Sequence, residues 1–271
     1  MTNDMTRGRI LPQLISFTIP LVLGNLFQLT YNAADSMIVG RYLGGQALAA
    51  VGTAGPIMNL AILFISGMCM GAGILMSTQY GAKQQDVLER QISTTLLSGL
   101  VFSFFVTLSM MVLAKPVLTL IRVPEEILDS ACGYLRIIFT GFLFTFAYNF
   151  FSSTLRALGD SKASLYFLVI SSVFNIAGDL LFVAVFRWGV NGSALATVLS
   201  QMICCLCCMI YIQKKVPLLR LGKRWLIFDK RLLSRTFSFG ITSALQLMCV
   251  QLGKVCVQSM VNMQGIAFMA G

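Results

Sequence analysis

The 271-residue sequence predicts an all-α polytopic membrane protein with about seven transmembrane helices. Three observations carry that prediction. The chain is 57% hydrophobic and only 11% charged, where soluble domains carry about 25% charge, and its mean hydropathy is +0.82. Such a chain cannot cover its own surface with polar side chains, so its solvent must be lipid. Apolar runs near the ~20 residues that cross a bilayer recur along its length. The basic residues fall in the gaps between those runs, the pattern that fixes topology.

Taken in order, the apolar runs lie at 13–39, 47–76, 92–114, 131–155, 164–186, 190–212 and 237–262. The first outlasts the apolar region of a secretory signal and lacks a small-residue cleavage site, so it reads as a span. It contains Pro20 and Gly24, and the second contains Gly55 and Pro56. Membrane helices accept such residues where neighbours re-satisfy the backbone, often with a bend. The last run stands apart, after the basic stretch Lys214–Arg235.

On the amino-terminal side lie Arg7, Arg9, Lys83, Arg90, Arg156, Lys162 and eight cations between Lys214 and Arg235. Opposite them are Arg41, Lys115, Arg122 and Arg187, while Arg136 and Lys254 fall inside spans. Fourteen against four puts the amino terminus in the cytoplasm of a multi-pass protein of the inner (plasma) membrane. The net charge of +10 is thereby used for topology. No stacking or groove-reading motif accompanies it, which argues against nucleic acid.

Cys204, Cys205, Cys207 and Cys208 form CCLCC within an apolar run, and histidine is absent from the chain. A soft-metal site is conceivable there, but small apolar packing is the expected role. Without histidine the zinc hydrolase motifs and the Ser-His-Asp and Cys-His triads are excluded. No catalytic residue and no cofactor is expected, and the chain reads as a non-enzyme.

RLLSRTFSFGI (231–241) parallels RILPQLISFTI (9–19), and QGIAFMAG (264–271) echoes GGQALAAVG (44–52). Six spans, an even number, separate the copies, so both enter the membrane in the same direction, a parallel repeat. The expected organisation is a six-helix lobe at 1–212, a basic cytoplasmic linker at 213–235, and the first helix of an incomplete second lobe at 236–271. A truncated chain is therefore expected.

Polar stripes mark the interior. Asn25, Gln28, Asn32 and Asp35 share one narrow face of the first span at about 100° per residue. Ser171, Asn175 and Asp179 repeat every four residues in the fifth, Ser193, Thr197 and Gln201 in the sixth, and Thr145, Asn149 and Ser153 in the fourth. Facing lipid would be costly, so the stripes are expected to face one another around a polar cavity. Ser, Thr and Asn also serve as interhelical glue. Carboxylates pay too much desolvation for that role, so Asp35 and Asp179 are read as functional. A buried carboxyl group can carry a proton, or a carboxylate pair with amide oxygens can hold a small hard cation such as Na⁺. Residue types alone leave both open. Lys254 shares a face with Gln251, Gln258 and Asn262, and is expected to line the same cavity or simply to be tolerated in a water-filled lumen.

IPLVLGNLFQ (19–28), YNAADSMIVGRYLGGQALAAVG (31–52) and LRALGDSK (155–162), followed by Asn175-x-x-x-Asp179, resemble the multidrug and toxic compound extrusion (MATE) transporters. The resemblance runs along essentially the whole chain. It is closest to the branch with an aspartate in helix 1, since helix 7 here supplies Lys254 and no acid. It implies a six-helix lobe, plus one helix, of a V-shaped 6+6 alternating-access exporter. It also implies exchange of Na⁺ or H⁺ for small amphipathic organic cations, with no cofactor. By the same resemblance the coupling residues are Asp35, Asn175, Asp179 and Thr197, with Asn149 nearby, and Na⁺ at Asp35, Asn175 and Asp179 is one expectation. Asn25, Gln28, Asn32 and Lys254 are the candidate cavity residues. Two alternatives stand beside this one: a lipid or oligosaccharide flippase of the same plan, and an intramembrane aspartyl protease. The protease would need YD and GxGD contexts, whereas Ala34 precedes Asp35 and Asp179 sits in IAGD. Partners other than the bilayer and oligomeric state are open.

Overall fold

A computed structural model describes residues 9–216 and 227–263, with 254–263 as backbone only. The described elements are all helical. They are α1 (Ile10–Gly81), α2 (Gln85–Leu120), α3 (Glu125–Thr140), α4 (Phe142–Ala157), α5 (Ser161–Asp179) running into a π-helical segment (Leu180–Val185), α6 (Val190–Lys215) and α7 (Lys230–Met263).

At 1.5 Å per residue, the 72 residues of α1 would reach about 108 Å if straight, over three bilayer cores. They do not run straight. Gly44 sits at φ 82°, ψ −175° inside α1, a backbone region essentially closed to residues with a Cβ. The break divides α1 into two arms, matching the first two apolar runs. Pro20 and Pro56 lie inside those arms, so neither proline ends a helix.

Four described helices are long and apolar enough to cross a membrane, or five if α3 and α4 form one span. The two are bent by 47° at Gly141, where one continuous run at 131–155 is expected from the sequence. With α1 counted as two arms, the first six expected spans are all represented by helix. They pack around buried Phe139, Phe142, Phe150 and Leu155, while the later part of α2, from Val101 to Leu120, presents mostly exposed apolar side chains.

The LRALGDSK stretch folds into the α4–α5 corner. Gly159 turns it at φ +87°, and the Asp160 carboxylate accepts the Ala163 amide at 3.1 Å as the α5 N-cap. Its second oxygen accepts the Tyr211 hydroxyl from α6 at 2.7 Å. Arg156 donates to Ser152 at 2.9 Å and Ser164 at 3.2 Å, fastening α4 to α5. Tyr211→Phe removes one charge-assisted bond and is expected to cost about 1.5–3 kcal/mol, read as lowered thermal stability in detergent. An unchanged melting curve would count against this account of the corner.

Two contacts seat α7. Gly67 and Gly71 of α1 meet Ala244 and Gly240 of α7 so closely that a Cβ built on Gly67 would lie 2.5 Å from the Ala244 Cα, and one on Gly71 2.4 Å from the Gly240 amide nitrogen. This is small-xxx-small packing on both helices. At the start of α2, buried Gln91 donates to Thr95 at 3.0 Å and to Thr236 of α7 at 2.6 Å. Ser93 donates to the Ile227 carbonyl at 2.8 Å, and Thr94 accepts the Asp229 amide at 3.1 Å. The chain leading into α7 is thus clasped to the start of α2.

Candidate functional site

The polar faces of α5 and α6 meet Asp35 of the first arm of α1. Helix α5 approaches α6 closely at Gly178, where an added Cβ would lie 2.9 Å from that of Ala196. That approach brings the Asn175/Asp179 face of α5 against the Ser193/Thr197 face of α6. Asn175 donates its amide to the Thr197 hydroxyl at 3.2 Å. Ser193 donates its hydroxyl to Asp35 at 2.9 Å, tying α6 to α1.

Asp179 is fully buried and within electrostatic reach of Asp35 and Ser193. The one Ser193 proton goes to Asp35, so both Asp179 carboxyl oxygens lack a donor, as does the Asn175 side-chain carbonyl. Three orphaned oxygens on one face are unusual, because buried polar groups are almost always paired. They form an acceptor-only cluster, suited to a proton or a small hard cation. Directly after Asp179 the helix widens into the π-helical segment, a distortion found often at functional sites.

The structure brings Asp35, Asn175, Asp179, Ser193 and Thr197 together. Asn149 is bonded elsewhere: it donates to the Thr145 carbonyl at 2.8 Å and accepts from Ser66 of α1 at 3.3 Å. Asn25, Gln28 and Asn32 are exposed along the first arm of α1, while Asp35 is half-buried. Lys254 lies outside the described side chains. Cys204, Cys205 and Cys208 are buried, and the Cys204 thiol donates to the Phe167 carbonyl at 3.1 Å.

Two phenols escape the stripe argument. Tyr134 of α3 is 3% exposed and within electrostatic reach of both Asp35 and Asp179, and Tyr31 of α1 lies near Asp35. The visible signal is a hydroxyl inside an apolar run. Tyr134 lies on no repeating polar stripe, so periodicity passes over it, whereas Tyr31, three residues after Gln28 and four before Asp35, borders the α1 stripe and could have been read with it.

A bundle of apolar helices around a carboxyl pair defines a multi-pass helical membrane protein with an ionisable interior. The comparisons with known proteins make that class specific. The family model described as MatE matches residues 20–181. The chain is 35% identical over 274 residues to the probable multidrug resistance protein YpnP of Bacillus subtilis, covering 99% of this chain and 60% of YpnP. It is 32% identical to the probable multidrug resistance protein YoeA of the same organism, over 98% of this chain and 59% of YoeA. Its fold superimposes on a crystal structure of MATE in complex with MaD3S with a TM-score of 0.87 at 23% identity, over 97% of this chain and 59% of that one. The chain belongs to the MatE family of multi-pass membrane proteins. It spans about 60% of the length of these relatives.

Proposed function

We propose that this chain supplies the first lobe, and the opening helix of the second, of a cation-coupled multidrug antiporter of the plasma membrane, with its amino terminus in the cytoplasm. The observation that carries the reading is the set of three orphaned oxygens on Asp179 and Asn175 beside Asp35. A buried acceptor cluster of that kind is stabilised by taking up H⁺ or Na⁺. If uptake and release differ in affinity between two arrangements of the lobe, the ion shifts their balance. Exchange against amphipathic organic cations follows from that coupling. The names of the multidrug relatives support this substrate class, as does the exposed polar face of Asn25, Gln28 and Asn32.

The test is dye efflux from inverted vesicles under an imposed Na⁺ or proton gradient, with and without Asn175→Ala. Losing one amide oxygen is expected to weaken the ion dependence by about five- to ten-fold, the worth of about 1–1.5 kcal/mol, with dye affinity little changed. Ion dependence identical to the parent would refute the assignment of Asn175. Efflux indifferent to both gradients would refute the antiport reading.

A further inference from the structure

A second candidate site lies on the outside of the bundle, at the end opposite the amino terminus. Val112, Lys115, Pro116, Thr119 and Leu120 of α2 and Arg136 of α3 line an open groove of about 650 Å³. The groove is shallow and open on its outer side. Its walls face away from the protein interior. Val101, Phe104, Phe105, Leu108, Val112 and Leu120 of α2 are all exposed, an apolar surface suited to acyl chains. Helix α7 sits against α1 and the other end of α2, so the helix that opens the second lobe leaves this groove uncovered.

Arg136 is the anomaly. It is exposed and has no carboxylate within ion-pairing distance among the described residues, where Lys115–Asp129 is the recorded pair. It lies seven residues beyond Asp129 on α3, about 10 Å further into the membrane. Glu125, Glu126 and Asp129 stay in the first turns of α3, on the aqueous side. A cation at that depth on a lipid-facing surface is costly unless it reaches a headgroup.

The groove supplies more than one charge. Lys115 lies at its rim, and its 3.3 Å bond to Asp129, which is 90% exposed, is a weak surface pair that leaves it available. Pro116 has no N–H, so the Val112 carbonyl four residues earlier lacks its helical donor. Thr119 is already committed, donating to the Lys115 carbonyl at 3.0 Å. The groove therefore presents two cations, a carbonyl without its usual partner and an apolar wall.

We propose that this groove binds a phospholipid of the leaflet opposite the amino terminus, its phosphate between Arg136 and Lys115 and its acyl chains along the exposed face of α2. The site is separate from the Asp35–Asp179 cluster and stands or falls independently of it.

Native mass spectrometry of the full chain in mild detergent tests it, with phosphatidylglycerol or diacylglycerol as the added probe. The parent is expected to retain one phosphatidylglycerol and no diacylglycerol. Arg136→Gln should weaken that retention about five-fold or more, the worth of one cation at a lipid surface. Arg136→Lys should keep most of it, and Arg122→Gln, a nearby cation outside the groove, should change nothing. Because Arg136 is exposed, the folding risk is small, and retained helicity of the variant by circular dichroism is the control. The proposal is overturned if Arg136→Gln binds as the parent does, or if Arg122→Gln loses as much. Equal retention of diacylglycerol, or a second copy of the chain occupying the groove in place of lipid, overturns it too.

Discussion

Asp179→Asn and, separately, Asp35→Asn are expected to abolish cation coupling while leaving the chain inserted and folded. Asparagine matches aspartate in shape and cannot ionise, so each variant keeps the packing around α5 or α1 and removes the charge to which the proposed function assigns the cation. For Asp179 the expected loss of cation affinity is about two to four orders of magnitude, from the ~3–5 kcal/mol that breaking a buried charge pair costs. The same variant should be as thermally stable as the parent or more so. Its carboxyl is fully buried without a donor, and such groups are held at the expense of stability for the sake of activity. Na⁺ binding by isothermal titration and proton uptake at fixed Na⁺, beside a thermal melt of the same sample, separate the two effects. Retained coupling in the double variant would end the assignment. A collapsed melt would recast Asp179 as a structural group.

The second large effect is expected at the α1–α7 crossing. Gly71→Leu places a side chain where the α7 backbone already lies, since even a Cβ would stand 2.4–2.6 Å from Phe239 and Gly240 backbone atoms. Backbone cannot step aside as a flexible side chain can, so the helices must part. Overpacking costs typically 1–3 kcal/mol. A forced separation also forfeits the close approach on which small-residue membrane packing depends. A thermal melt of the chain in detergent reports it: the midpoint is expected to fall with Gly71→Leu. A midpoint that stays at the parent value would show that the crossing tolerates bulk.

How much of this was legible beforehand depends on the physical signal. Spans are written as long apolar runs, and the structure follows them closely, with α2 extending to Gln85–Leu120 around the expected 92–114. Side-chain periodicity placed Asn175 and Asp179 on one face, and Ser193 and Thr197 on another. What periodicity lacks is the partner. Asn149 repeats with Thr145 and Ser153 as well as any stripe residue does, yet it bonds Ser66. The bend at Gly141 and the π-helical turn after Asp179 leave no period to read, because neither interrupts the apolar run. The Gly67-x-x-x-Gly71 and Gly240-x-x-x-Ala244 pairs are plain in the sequence, but only the fold says that they meet.

The clasp on α2 has a consequence for how the chain is made. Ser93 precedes Ile227 by 134 residues, and synthesis runs from the amino terminus, with early units folding first. The docking groups Gln91, Ser93 and Thr94 are therefore in place well before α7 leaves the ribosome. The packed start of α2 acts as a jig on which α7 is laid, so the orientation of α7 is inherited from the helices made before it.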